Sequence, residues 1–122
     1  MQQVLIIDDD EQLRALLSEI LQRAGYEVIE ARDGNEGLTL YRTHPTDLVI
    51  TDLIMPEKEG VETIVELRRD FPDVRIIAMS GGGRLTSRDY LRMAEQLGAR
   101  RTVKKPFSRQ EILDAVRESL AP

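Results

Sequence analysis

The chain has no cysteine. That excludes a disulfide framework, a thiolate metal site and a thiol nucleophile. Long apolar runs are missing too. No stretch approaches the ~18 apolar residues of a membrane span, and the N-terminus lacks the basic-then-apolar order of a secretion signal. A cytoplasmic location with no membrane partner is the expectation. Histidine occurs once, as His44 before Pro45 in a polar stretch, and reads as a surface residue. Positive charge is in deficit, with 17 Lys+Arg against 22 Asp+Glu and a net charge of −5. Nothing therefore argues for direct nucleic-acid binding. What is present suffices for a folded domain: 122 residues, 41% of them apolar and 32% charged, can bury a core. One domain over 1–122, with no separate effector domain, is expected.

Short apolar runs alternate with helical patterns. Residues 4–7 (Val-Leu-Ile-Ile) read as a buried strand. Leu13, Leu16, Leu17, Ile20, Leu21 and Ala24 recur along one face of a helix, and Gly25 is placed to end it. A strand over 26–31, the turn Asp33-Gly34 and a short helix over 35–43 follow. Residues 48–51 form a strand ending on Asp52; Val61, Ile64 and Val65 mark a helix that Pro72 stops. The spacing predicts a strand over 74–79 ending on Ser80, then a helix opened by a Thr86/Asp89 capping box and closed by Gly98. A last strand over 102–104 and a helix opened by Ser108 and Glu111 complete the chain. Five βα units with right-handed crossovers make a three-layer, doubly wound α/β sandwich around a parallel sheet.

Polar residues stand at four strand ends: Asp8, Asp9 and Asp10 after the first, Asp52 at the third, Ser80 at the fourth, Lys104 and Lys105 at the fifth. Strand ends on one edge of a parallel sheet converge where open α/β folds bind ligands. Clustered carboxylates there are costly without a cation. Oxygen ligands alone point to Mg²⁺ or Mn²⁺. A cation, an ammonium and a hydroxyl together suit a phosphoryl group, and a carboxylate facing them can act as the nucleophile in phosphoryl transfer. Each piece alone has a plainer reading: Asp8 to Asp10 as a helix cap, Asp52 as a turn residue, the lysines as solvated charges. The triple glycine 81–83 lacks the context of a P-loop.

The runs Leu5-Ile6-Ile7-Asp8-Asp9-Asp10, Leu48-Val49-Ile50-Thr51-Asp52-Leu53-Ile54-Met55-Pro56, Ile76-Ile77-Ala78-Met79-Ser80-Gly81 and Val103-Lys104-Lys105-Pro106-Phe107 resemble the receiver domains of two-component response regulators. The resemblance spans the whole chain in motif order. It implies a flavodoxin-like fold with strand order 2-1-3-4-5. It implies Asp52 as phosphoacceptor, Asp9 as a direct Mg²⁺ ligand, Asp8 as a ligand mostly through water, and the Ile54 backbone carbonyl as the last protein ligand. Ser80 would donate its hydroxyl to the phosphoryl group, and Lys105 would bridge that group and the acids. Lys104 then falls outside the motif and Asp10 starts a helix. The donor would be a histidine kinase or phosphotransfer protein, in a two-component system or a phosphorelay. Such a protein assists its own phosphorylation and dephosphorylation, yet its role is signalling through a shift between two conformations.

Two departures from the family pattern stand out. Thr102 occupies the position where many receivers carry a switch aromatic, so an aromatic rotamer switch there is excluded. The stretch from Ser80 to Gly98 is longer and richer in glycine than in the chemotaxis type, which predicts a mobile loop or an extended helix start. Ile54 and Gly82 flank the expected path of attacking water and cannot hydrogen-bond it, which predicts slow self-dephosphorylation. Charge is also uneven: residues 84–109 hold eight Lys/Arg and two acids, whereas residues 1–70 hold seven basic and sixteen acidic residues. This predicts an acidic protein target for the basic face and, because Arg100 and Arg101 would repel across a two-fold axis, a monomer. Two alternatives stay open. One is a pseudo-receiver that binds partners without phosphorylation. The other is a Mg²⁺-dependent phosphatase with an aspartyl nucleophile, which lacks its usual second acid because position 54 is Ile.

Overall fold

Strands and helices alternate along the computed structural model, which describes residues 1–53, 60–81 and 87–122, with side chains of the fourth helix described from Arg92 onward. The order is β1 (Gln3–Ile7), α1 (Glu11–Arg23), β2 (Glu27–Ala31), α2 (Gly34–Thr43), β3 (Leu48–Asp52), α3 (Gly60–Asp70), β4 (Ile76–Ser80), α4 (Ser87–Gln96), β5 (Arg101–Lys104) and α5 (Arg109–Leu120). The strands form one sheet in the order β2-β1-β3-β4-β5, every neighbouring pair parallel. The doubly wound sandwich and its 2-1-3-4-5 order are thus observed.

Burial on both faces explains the continuous apolar runs. Within β1, Val4 and Ile6 face Leu17 and Leu21 of α1 and Ile112 and Val116 of α5. Leu5 and Ile7 point the other way, into the core shared with Leu38 of α2 and Ile64 and Leu67 of α3. The same alternation splits β4: Ile77 and Met79 join the first core, Ile76 and Ala78 the second. Each such side chain sealed from water stabilises the fold by roughly 1.5–3 kcal/mol.

Local chemistry sets the helix ends. The Asp10 carboxylate accepts from the amides of Gln12 and Leu13 at the start of α1. Asp33 does the same for Glu36 at α2, and Ser108 and Glu111 form the reciprocal capping box of α5. Gly25 and Gly98 follow α1 and α4 with φ of +97° and +106°, a left-handed turn that side chains resist. Strand β4 starts later than predicted. Val74 is buried, but its amide bonds to the Phe71 carbonyl in the turn after α3. The sheet takes up the chain at Ile76, opposite Val49. The Thr86 capping box and the loop length after Ser80 fall at residues 82–86, outside the described residues.

The chain passes from β1 outward to β2 and then back across to β3, so β1 is flanked by both. This is the point where strand order reverses, and the crevice beyond the C-terminal strand ends opens there. Asp8 and Asp52 stand on its two sides.

Candidate functional site

Asp8 follows β1 directly and is fully buried. Its amide donates to the Ala31 carbonyl, which ties it to β2. Its Oδ1 accepts from the Asp10 amide at 2.9 Å and its Oδ2 from Lys105 Nζ at 3.1 Å. Asp9 is exposed. Asp52 closes β3 at 7% exposure, with Oδ1 3.2 Å from Lys105 Nζ. Oxygens of Asp8, Asp9 and Asp52 lie within 4.8 Å of one another. Asp8, Asp9 and Asp52 thus share one cluster, while the Asp10 side chain caps α1.

Lys105 reaches the cluster because the chain after β5 is held to β4: the Lys105 amide donates to the Ser80 carbonyl at 2.8 Å. Its aliphatic stem crosses Gly81, where an added Cβ would meet Lys105 Cδ at 3.0 Å. Ser80 is 1% exposed, and its Oγ has no hydrogen-bond partner among the described residues. A buried hydroxyl without a partner is costly, and at a strand end beside the acidic cluster a ligand would supply the missing partner. Lys104 is exposed and takes no part. The Ile54 carbonyl lies outside the described residues.

Electrostatics follow from this packing. Burial pushes the Asp52 carboxyl up to about 6; Lys105 opposes that rise, and the neighbouring Asp8 and Asp9 add to it. Burial likewise raises Asp8, against the Asp10 amide and Lys105. For Lys105 burial disfavours the charge, but Asp52 and Asp8 outweigh it and the pKa lies above the ordinary lysine value. Three carboxylates against one ammonium leave an excess of about two negative charges when ionised. An all-oxygen donor set with that charge fits a hard divalent cation.

Two contributors carried no sequence signal. Gly60 opens α3 against β3, and a Cβ there would collide with the Asp52 carbonyl oxygen and press on Leu53 Cα. Arg14 donates from Nη1 to the Asp8 carbonyl at 2.7 Å. Beside the cluster an open groove of about 360 Å³ is lined by Asp10, Leu13, Leu16, Gly81, Lys105, Pro106 and Phe107. At the other flank the charge at Arg101 is met by Glu118 of α5 at 2.8 Å, and Arg100 donates to the Ser119 carbonyl.

The model of the response regulator receiver domain matches residues 4–117. The chain belongs to this family. Sporulation initiation phosphotransferase F of Bacillus subtilis is 32% identical over 119 residues, covering 98% of this chain and 94% of that protein. Chemotaxis protein CheY of the same organism is 33% identical over 118 residues, covering 96% of each. Among solved structures, chemotaxis protein CheY4 of Vibrio cholerae superposes with a TM-score of 0.88 at 30% identity, covering 98% of this chain and 99% of that one. Receiver domains are signalling proteins, not classed as enzymes; they bind Mg²⁺ at an acidic pocket and interact with histidine kinases or phosphotransfer proteins. The receiver fold here agrees with that membership, and phosphorylation-dependent signalling follows from it. No helix among the described residues is long and apolar enough to cross a membrane.

Proposed function

We propose that the chain is a phosphorylation-activated receiver in which Asp52 accepts a phosphoryl group from a histidine kinase or phosphotransfer protein. One Asp52 carboxylate oxygen attacks the phosphorus of a donor phosphohistidine. The P–N bond breaks, its electron pair goes to the imidazole, which takes a proton from solvent, and an acyl phosphate forms on Asp52. The position of Lys105 Nζ, 3.1 Å from Asp8 and 3.2 Å from Asp52, carries this assignment. An ammonium bridging two carboxylates is ready to pair with incoming phosphoryl oxygens. The Ser80 hydroxyl donates to one of those oxygens and so acquires its partner. Asp8, Asp9, Asp52 and the Ile54 carbonyl would hold Mg²⁺ or Mn²⁺, whose charge offsets that of the phosphoryl group.

The groove formed by Leu13, Leu16 and Phe107 receives the donor protein. Output passes through β4, as Ser80 turns to the phosphoryl group. Thr102, which replaces a switch aromatic, donates from Oγ1 to Glu95 Oε1 of α4 at 3.4 Å, and this contact couples β5 to α4. Exposed Arg92, Lys104 and Arg109 give the face an excess of positive charge for an acidic protein target. Pairing of Arg101 with Glu118 makes that excess smaller than residues 84–109 alone imply. The isolated chain is a monomer in this reading.

The test is intact mass after incubation with acetyl phosphate and Mg²⁺, beside Asp52→Asn. One added phosphoryl group, absent without Mg²⁺ and absent in the variant, is expected. An adduct of equal size in Asp52→Asn would remove Asp52 from the role. No adduct in the unaltered chain would move the protein to the pseudo-receivers.

A further inference from the structure

Arg14 sits in the second turn of α1 and belongs to none of the motifs that point to the site. Its side chain is 15% exposed. Nη1 donates to the Asp8 carbonyl at 2.7 Å; Nε is closed off from solvent without a hydrogen-bond partner among the described residues, its nearest counter-charge being Glu30 Oε1 of β2 at 3.4 Å. A mostly covered cation thus directs its hydrogen bond to the backbone carbonyl of Asp8, and among the described residues its ion pair is with Glu30 and with none of the three aspartates. The carbonyl it holds belongs to the peptide unit joining Asp8 to Asp9. The Asp8 carboxylate is already held at both oxygens, by the Asp10 amide and by Lys105. Asp9 is exposed and has no comparable anchor among the described residues. The place of its Cα, from which the carboxylate extends, therefore depends on the peptide plane that precedes it.

We propose that Arg14 is a positioning residue: by bonding the Asp8 carbonyl from α1, with Glu30 of β2 as its counter-charge, it holds the Asp8–Asp9 peptide and keeps the Asp9 carboxylate close enough to Asp8 and Asp52 to share a divalent cation. This rests on the reading of those three aspartates as a cation site. Charge and position act in opposite senses here. As a charge alone, Arg14 repels a cation, and removing it tightens binding. As a strap, removing it frees Asp9 and weakens binding; groups that orient metal ligands commonly account for about 10-fold or more in affinity.

Mn²⁺ affinity of the full chain, read from the electron paramagnetic resonance signal of the free ion, separates the two. Urea unfolding in EDTA runs in parallel. Arg14→Met is expected to bind Mn²⁺ about 10-fold more weakly. Arg14→Lys, which keeps a charged donor for the carbonyl without the planar guanidinium beside Glu30, is expected to fall between that variant and the unaltered chain. Affinity equal to or tighter than that of the unaltered chain in folded Arg14→Met overturns the proposal. So does a lowered EDTA midpoint with unchanged Mn²⁺ affinity, the mark of a purely structural role. If Arg14→Met does not fold, Arg14→Lys and Arg14→Gln decide, and unchanged affinity in both overturns it. An unaltered chain that takes up no Mn²⁺ at millimolar concentration sinks the cation site as well, whereas equal binding by all variants leaves that site standing and removes only the strap.

Discussion

Asp52→Asn should make the metal-free protein more stable. Burial raises the Asp52 carboxyl from 3.8 to about 6, so at neutral pH the folded state holds a charge it disfavours. Each pH unit of such displacement corresponds to about 1.4 kcal/mol, which makes the cost roughly 3 kcal/mol at pH 7.5. The attraction of Lys105 is already inside that figure. Exposed Asp9 lets water near the site, and an asparagine amide does not reproduce a protonated carboxyl in every contact. A net gain of about 2 kcal/mol is the working figure. For 122 residues that is a rise in Tm of about 8 °C. The sign with pH follows from the raised pKa. The contribution of Asp52 is fully present below 3.8 and is lost as pH rises through about 6. The advantage of the variant should therefore be largest above pH 7 and close to nothing near pH 4. Urea unfolding in EDTA at a series of pH values measures it. Millimolar Mg²⁺ should reverse the order by stabilising the unaltered chain through binding. Equal stability at pH 7.5 in EDTA, or a gain that does not change with pH, would refute the electrostatic account.

Lys105→Met leaves Asp8 and Asp52 buried without their shared ammonium, and should cost about 2 kcal/mol at pH 7.5; the loss should lessen at pH 5, where the carboxyls take up protons, as followed by urea midpoints. Gly60→Ala forces a methyl against the Asp52 carbonyl and should destabilise the fold by about 1–3 kcal/mol; thermal unfolding checks it, and an unchanged Tm would mean that α3 can move away from β3 freely. With Ile54 and Gly82 unable to orient water, the phosphoryl group on the unaltered chain should persist for minutes to hours. Its loss within seconds, timed by intact mass after the donor is removed, would contradict that reasoning.

The central strands β1, β3 and β4 were legible because both faces of the sheet are covered there, so each carries an apolar run. Boundaries were less so. Val74 is as apolar as Ile76, yet the turn after α3 claims its amide, and hydropathy cannot register that competition. The site was legible for a related reason: Asp8, Asp52, Ser80 and Lys105 each stand at or beside a strand end, where fold topology alone brings distant positions together. Arg14 and Gly60 escaped notice because both act on backbone carbonyls, those of Asp8 and Asp52. A carbonyl has no letter in the sequence, so nothing announces the side chain that holds it or the glycine that makes room for it. Charge counting failed in a milder way, since Glu118 lies outside the stretch whose arginine it pairs with.

These contributions divide along a physical line. The groups expected to meet a phosphoryl oxygen or a cation are charged or hydroxylic and are held at a cost, as the raised Asp8 and Asp52 carboxyls and the partnerless Ser80 hydroxyl make plain. The groups that hold them there satisfy ordinary backbone needs. Burial raises the cost of the charge at Asp52, and the residue count leaves the cluster short of positive charge. A site stabilised fully by its own residues would have nothing left to gain from a phosphoryl group and its cation. Here one ammonium stands against three carboxylates, an imbalance that a bound cation would relieve, and a ligand that does so more in one conformation than in another would bias the equilibrium between them.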